Sequence, residues 1–474
     1  MQLIGRKEEQ ETLKHLMQSS ESRLAVVYGR RRIGKTFLVR SFFKQTFDFE
    51  ITGLHNGNFS DQLSHFTNTI ATYDYKEAMV ANPTSWMDAF KLLTFYLDKL
   101  KGKKKKVLFF DELPWFDTPK SKFLMAFEHF WNAYCSKRKD ILVIVCGSSA
   151  SWILKKILQN KGGLHNRVSE KILLQPFSLK ETEHFLHEKG VKWTEYDIAQ
   201  IYMTLGGIPY YLDAVRKGES VAQSIDRLCF NKTGLLYQEY DELYSALFGN
   251  SEKHRHIIEI LSNSKWGMTR EQLIEKSGFT SGGGLTTVLG ELLNSGFITM
   301  MYPYGAKHNK GVLRVDDFFT LFYLKFMRRS SGRQQESWTK LVKNQSWVSW
   351  SGLAFERLCF THTNQIKKAL GLTVIESHVS NMNIVNHDDQ GAQIDMLIDR
   401  ADKVVNLCEI KFSKGEYVID KAEAQVLRNK ILAFEKYASR KNVHLTMITT
   451  FGTKDNEYNK ELVQNQVTLN QLFS

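Results

Sequence analysis

Gly29-Arg30-Arg31-Arg32-Ile33-Gly34-Lys35-Thr36 fits the pattern G-x-x-x-x-G-K-[ST]. A short apolar strand, Leu24 to Tyr28, precedes it, and a helical pattern, Thr36 to Phe43, follows. In that setting the glycines let the backbone curl, so that successive N–H groups face a β-phosphate and the helix N-terminus adds positive potential. The expected cradle comprises Gly29, Arg32, Ile33, Gly34, Lys35, Thr36 and Phe37. Lys35 would bridge the β- and γ-phosphates of ATP, and the Thr36 hydroxyl would ligate Mg²⁺.

Working outward, Val107-Leu108-Phe109-Phe110-Asp111-Glu112 is a fully apolar run ending in two carboxylates. Such runs suit buried parallel strands, at whose carboxyl ends ligands gather. Asp111 would hold Mg²⁺ through water, and Glu112 would orient the water that attacks the γ-phosphate. A third apolar strand, Ile141 to Cys146, runs into Gly147-Ser148-Ser149, where Ser148 is the candidate sensor of phosphate or attacking water. Arg167, ahead of Leu173-Leu174-Gln175-Pro176, is placed to supply charge in cis or from a neighbouring subunit, and a homo-oligomer is expected in the second case.

At 474 residues the chain exceeds one hydrophobic core, so several domains are expected. Its five cysteines are scattered and form no C-x-x-C pair, which disfavours a disulfide framework or a zinc site and fits the cytoplasm. Met1 to Lys7 lacks the apolar stretch of a signal peptide, and no apolar run approaches bilayer length, so no membrane partner is expected. The net charge of +13 points to an anionic partner, nucleic acid, with DNA the expected form. The run Lys103 to Lys106 is expected to solvate a turn before the buried strand.

Ile4-Gly5-Arg6-Lys7-Glu8 resembles the h-G-R-x-x-E box that closes over adenine in AAA+ and STAND-type ATPases. Gly206-Gly207-Ile208-Pro209 resembles the G-G-x-P element of their helical lid. With the cradle and the Phe109-Phe110-Asp111-Glu112 strand, residues 1 to about 240 are similar to the archaeal-type ATPases. The resemblance implies an α/β P-loop NTPase with a five-stranded parallel sheet, in which the Ser148 strand lies between those of the cradle and Asp111. It also implies nucleotide contacts from Gly5, Arg6 and Pro209.

From Glu252 to Leu261 the apolar spacing is helical, Thr269-Arg270-Glu271-Gln272 caps a second helix that Gly278 ends, and Gly282 to Leu293 forms a third. Phe297 to Met301 and Val312 to Val315 read as strands of a wing, giving a winged helix-turn-helix. The third helix carries no Lys, Arg, Asn or Gln before Asn294, which argues against base readout. Lys307, His308, Lys310 and Arg314 of the wing are left to touch phosphates, and docking within the chain is an equal expectation.

Beyond a linker expected from Arg328 to Gln345, Gln393 to Asp399 alternates like a strand, Arg400 to Lys403 turns, and Val404 to Phe412 returns. Glu409 and Lys411 then share a face, with Asp395 across the hairpin and Glu356 on a helix behind. Asp395 and Glu409, with the Ile410 carbonyl, would ligate Mg²⁺, while Lys411 would orient or deprotonate the nucleophilic water. This Glu, Asp, Glu-x-Lys order resembles the PD-(D/E)xK nuclease superfamily, although Gln393-Ile394 stands where a proline often precedes the aspartate. Gln425, on the next helix, is a further candidate. The organisation expected is 1–175 ATPase core, 176–245 lid, 246–330 winged helix and 331–474 nuclease-like domain. The function expected is an ATP-hydrolysing switch controlling a Mg-dependent endodeoxyribonuclease in defence or mobile-element biology. The alternative is a STAND-type signalling or regulatory ATPase whose C-terminal domain only binds nucleic acid or a partner protein.

Overall fold

The computed structural model describes residues 3–74, 83–102, 104–159, 162–164, 166–279, 282–306, 311–328, 337–384, 392–438 and 440–474. The chain forms two compact units, one of Met1–Gln175 with Gly290–Ser295, the other of Pro176–Leu289 with Gly296–Ser474. Among the described residues no helix is long and apolar enough to cross a membrane.

The first unit is built on a parallel sheet of β1 (Arg23–Gly29), β2 (Phe49–Thr52), β3 (Lys106–Asp111), β4 (Ile141–Gly147) and β5 (Glu170–Leu174), in the order β2-β3-β4-β1-β5. β3 and β4 are buried along their whole length, as runs of Val, Ile, Leu and Phe require when both sheet faces are covered. β4 lies between β1 and β3, the order that the resemblance implies, so the ends carrying the cradle, Asp111-Glu112 and Ser148 are neighbours. One face packs on an aromatic cluster in which Trp86 meets Phe123 edge-on at 4.9 Å and Phe90 stacks on Phe130 at 5.0 Å. Lys106 departs from the expected solvated turn: it is the first residue of β3, buried, and its ammonium pairs with Asp140. Burial of a lysine needs such a partner.

The second unit opens with helices Leu179–Glu188 and Glu195–Leu205, each started by a capping box, from Ser178 and Thr194. Gly206-Gly207 follows because no side chain fits there: a Cβ on Gly207 would stand 2.0 Å from the Phe177 carbonyl oxygen. Pro209 begins the helix Pro209–Asp213, where its missing N–H costs nothing. Helices Ser251–Ser262, Arg270–Ser277 and Gly283–Asn294 then lead into an antiparallel pair, β6 (Ile298–Met301) and β7 (Val312–Val315). Gln272 completes a capping box at Thr269, and Gly278 ends its helix at φ 68°. Lys307, His308 and Lys310 lie outside the described residues. Arg314 does not extend into solvent as a wing residue would: it is buried, donating to Asp316 at 3.3 Å.

A mixed sheet follows, in the order β12-β11-β10-β9-β8, from β8 (Ser377–Ile384), β9 (Ala392–Arg400), β10 (Val404–Lys411), β11 (Asn442–Thr449) and β12 (Asn465–Thr468). β8, β9 and β10 pair antiparallel, whereas β10, β11 and β12 run parallel. The parallel step is bridged by helix Lys421–Tyr437, whose Leu427 and Phe434 bury against Leu397, Leu407 and Leu445. The expected linker does not extend to Gln345. From Ser337 onward the chain is packed, with Trp338 buried, stacked on Phe230 at 5.6 Å and edge-on to Trp347 at 5.0 Å. Its backbone N–H donates to Asp226 at 2.6 Å. Removing this indole leaves a large cavity, so Trp338→Ala is expected to cost about 3–5 kcal/mol, read as a lower urea midpoint for the second unit.

Candidate functional site

At the carboxyl end of the parallel sheet, Gly29 at φ 139° is a position for glycine on two grounds, since a Cβ would also stand 2.5 Å from the Leu174 carbonyl oxygen. Gly34, at φ 86°, precedes the helix Lys35–Phe42. The buried Lys35 ammonium donates to the carbonyls of Gly29 (3.1 Å) and Arg30 (2.8 Å). Burial lowers its pKa, against the raising fields of Cys146, Glu112 and Asp111, and phosphate oxygens beside it would favour its charged form. Thr36 Oγ1 donates to both Asp111 oxygens, at 3.0 and 2.9 Å. Burial, then Glu112, push the Asp111 carboxyl above its usual range. A hydroxyl and a carboxylate in contact are the hard oxygen donors a magnesium ion takes.

Glu112 sits in the left-handed region at φ 47° and its Oε2 accepts from both the backbone N–H and the hydroxyl of Ser148, at 2.9 Å each. Ser148 is therefore joined to Glu112 through both its backbone and its side chain. Arg6, also left-handed at φ 56°, reaches back so that its guanidinium donates to the Ile33 carbonyl at 3.4 Å. Gly5 precedes it at φ 67°. Arg32 (φ 70°) and Phe37 lie on the outer side of the cradle, Phe37 exposed. Arg167 is exposed ahead of β5.

In the second unit the β9–β10 hairpin forms as expected, and its register, Met396 opposite Cys408, brings Asp395 level with Glu409. The Ile410 N–H donates to Asp395 Oδ2 at 3.1 Å. Asp395, Glu409, Ile410 and Lys411 line one cleft with Glu356, which comes from helix Gln345–Thr361. Three lysines distribute themselves over these acids. Lys411 stands 3.0 Å from Glu409 and 2.8 Å from Glu423; Lys430 is 2.6 Å from Glu409; Lys265 is 3.1 Å from Glu356 and 4.0 Å from Asp395. Among the described residues no three His, Cys, Asp or Glu side chains stand at metal-holding spacing as they are; here ammonium groups sit among the oxygens. The donor set itself, three carboxylates, is one for a hard divalent cation.

Burial, then Glu409 and Glu356, raise the Asp395 carboxyl to about 7, and burial raises Glu356 as well, against the pull of Lys265. Burial alone would lower Lys411, but Glu409 and Glu423 outweigh it and hold the group well above its ordinary value. Lys411 is thus held as a cation between Glu409 and Glu423. Gln425 is exposed and its side chain donates to Asn429, which lines the cleft, at 3.0 Å. On helix Lys421–Tyr437 the residues seven apart, Glu423 and Lys430, are the ones that reach the cleft, Glu423 pairing with Lys411 and Lys430 with Glu409. Their i,i+7 spacing was a usable signal; Lys265, remote in sequence, had none. Behind the strand end, Tyr196 of helix Glu195–Leu205 stacks on Phe412 at 5.0 Å and on Phe451 at 5.6 Å.

The parallel sheet, cradle and paired carboxylates define a P-loop ATPase. Residues 3–215 match the family model described as an ATPase domain predominantly from Archaea, so the chain carries an archaeal-type ATPase domain. An uncharacterized protein of Methanocaldococcus jannaschii is 25% identical over 328 residues, covering 68% of this chain and 68% of its own. The Walker-type ATPase of Pyrococcus abyssi shares the fold over 68% of this chain and 96% of its own, with a TM-score of 0.50 at 19% identity. A signal transduction ATPase with numerous domains and a tetratricopeptide repeat sensor, from Pyrococcus horikoshii, is 16% identical over 78% of this chain and 55% of its own, with a TM-score of 0.32.

Two outcomes follow from these contacts. Ser148→Ala removes one of the hydrogen bonds to Glu112, so kcat for ATP hydrolysis is expected to fall about 10-fold or more with KM nearly unchanged, in steady-state assays. For Asp395, the unfolded chain loses its proton near pH ~4, whereas the native chain keeps it to about 7. The proton therefore favours the native state at low pH, and that contribution is lost as pH rises from about 4 to about 7. Asp395→Asn should flatten this part of the wild-type stability profile, measured by denaturant unfolding across that range.

Proposed function

We propose that the chain is an ATP-hydrolysing switch whose C-terminal domain is a Mg-dependent nuclease acting on DNA, in a cytoplasmic setting of genome defence or mobile-element biology. The organisation proposed is 1–175 ATPase core, 176–245 lid, 246–330 winged helix and 331–474 nuclease-like domain. In the first site, Lys35 and the Gly29–Thr36 backbone bind the phosphates, and Gly5 and Arg6 contact the rest of the nucleotide. Ser148 positions Glu112, which orients the attacking water. Arg167 adds positive charge, in cis or across a homo-oligomer.

In the second site, Asp395, Glu409 and the Ile410 carbonyl would hold the metal, with Glu356 completing the set. Magnesium bound at the two sites supplies charge to the reacting phosphates and lowers the pKa of water. Lys411, kept cationic by Glu409 and Glu423, orients the nucleophile and faces the phosphorane charge. The single observation that carries this reading is that Glu356, from a helix some forty residues earlier, lines one cleft of ≈ 630 Å³ with Asp395, Glu409 and Lys411 of the hairpin. The net charge of +13 supports a polyanionic substrate.

A second reading, a STAND-type signalling or regulatory ATPase whose C-terminal domain only binds nucleic acid or a partner protein, draws on the lysines that neutralise the same carboxylates. Purified chain incubated with duplex DNA and Mg²⁺, with and without ATP, separates the two. On the nuclease reading Lys411→Ala and Asp395→Asn cut DNA about 10²-fold more slowly or not at all, while their ATPase activity persists. Lys35→Ala loses ATP hydrolysis and the response of cleavage to ATP. ATP hydrolysis with no cleavage of DNA or RNA by the wild-type chain would instead support the binding reading.

A further inference from the structure

Lys265 reaches the acidic cleft from outside the mixed sheet. It lies on the turn between helices Ser251–Ser262 and Arg270–Ser277. That turn is built rather than loose. Met268 and Leu313 exchange both backbone hydrogen bonds, at 2.9 and 2.8 Å, and Ser264 Oγ donates to the Gly267 carbonyl at 2.7 Å. Gly267 adopts φ 84°, and a Cβ there would stand 2.5 Å from the Leu313 carbonyl oxygen. The next residues of β7 continue the clamp, because the Val315 carbonyl accepts from Arg357, the neighbour of Glu356. The Lys265 ammonium also rests over the Trp266 ring, 4.8 Å from its centroid.

The other lysine on the acids, Lys430, belongs to the helix that bridges β10 and β11, so it stays with the sheet. Lys265 comes from the helical module before it and contacts the two carboxylates that Lys430 leaves, Glu356 and Asp395. A lysine is a compact charge on a flexible stem, with no fork of donors to lock it in place. It is 30% exposed, more than the acids it covers, so rotation about its own stem suffices to carry the ammonium out while the turn stays in place.

We propose that Lys265 is an internal counter-ion that closes the Glu356–Asp395–Glu409 cleft to divalent cations, and that withdrawal of its side chain opens the cleft to them. The proposal rests on reading that cleft as a metal-dependent site. An ammonium and a divalent cation compete for the same oxygens, and their mutual repulsion at ~4 Å keeps both from standing there together.

The test is Mn²⁺ binding to the full-length chain without nucleotide, followed by the electron paramagnetic resonance of free Mn²⁺. Only the part lost in Asp395→Asn is scored, which removes any contribution of the P-loop. Lys265→Ala and Lys265→Gln are expected to bind Mn²⁺ at least tenfold more tightly than wild type at this site. Lys265→Arg, which keeps the charge, should stay within about threefold of wild type. Cleavage of duplex DNA without ATP should rise in the same two neutral variants, with thermal melting confirming that each is folded. Asp395-dependent binding of equal affinity in wild type, Lys265→Ala and Lys265→Gln overturns the counter-ion role while leaving the metal reading intact. No Asp395-dependent binding in any of them overturns both.

Discussion

A carboxylate buried at the end of a sheet has to be neutralised, and much of this molecule is organised by that requirement. Both units place acidic pairs on apolar strands: Asp111-Glu112 at the end of β3, and Asp395 of β9 opposite Glu409 near the end of β10. The strands must be apolar to be buried, yet the ends must be acidic to do chemistry. In the first unit the solution is local, with Thr36 donating to Asp111 and Ser148 to Glu112. In the second it is distributed over three lysines from three separate segments. Removing one partner from such a set leaves an unpaired buried charge, which is why neither site is a collection of independent residues.

The two solutions differ in what they permit. Hydrogen bonds from hydroxyls and backbone N–H groups hold Asp111 and Glu112 in place while leaving lone pairs for a metal or a water. Ammonium groups satisfy the charge and also stand where a metal would. The first site is therefore arranged around its ligand, with the left-handed backbone of Arg6, Arg32 and Glu112 stored at its edge. The second is arranged around cations belonging to the chain itself.

The parallel sheet and its cradle were legible in the sequence because each strand is a continuous apolar run and each signal is contiguous: Gly29 to Thr36, Phe109 to Glu112, Gly147-Ser148. The hairpin of β9 and β10 was legible through period-two alternation, which put Glu409 and Lys411 on one face. What stayed hidden was carried by tertiary packing. No local pattern marks Lys265 as a partner of Glu356. A run rich in Ser, Gly and Arg concealed Trp338, whose burial depends on Phe230 more than a hundred positions earlier. Lys106, read as solvated from its four-lysine run, is buried because Asp140 waits at the start of β4.

The stacking of Tyr196 on Phe412 and Phe451 bears on how such chains are assembled from parts. The family segment ends at residue 215, whereas the compact units divide after Gln175, so helix Glu195–Leu205 is inherited as part of the ATPase but packs with the sheet that follows. A recombination joint at residue 215 would strip three aromatic rings of their partners and leave an apolar helix face in water. A joint at residue 175 severs none of these contacts. Exchange of one C-terminal domain for another is therefore cheapest when the segment 176–215 travels with it, so that segment should evolve in step with the sheet it packs against.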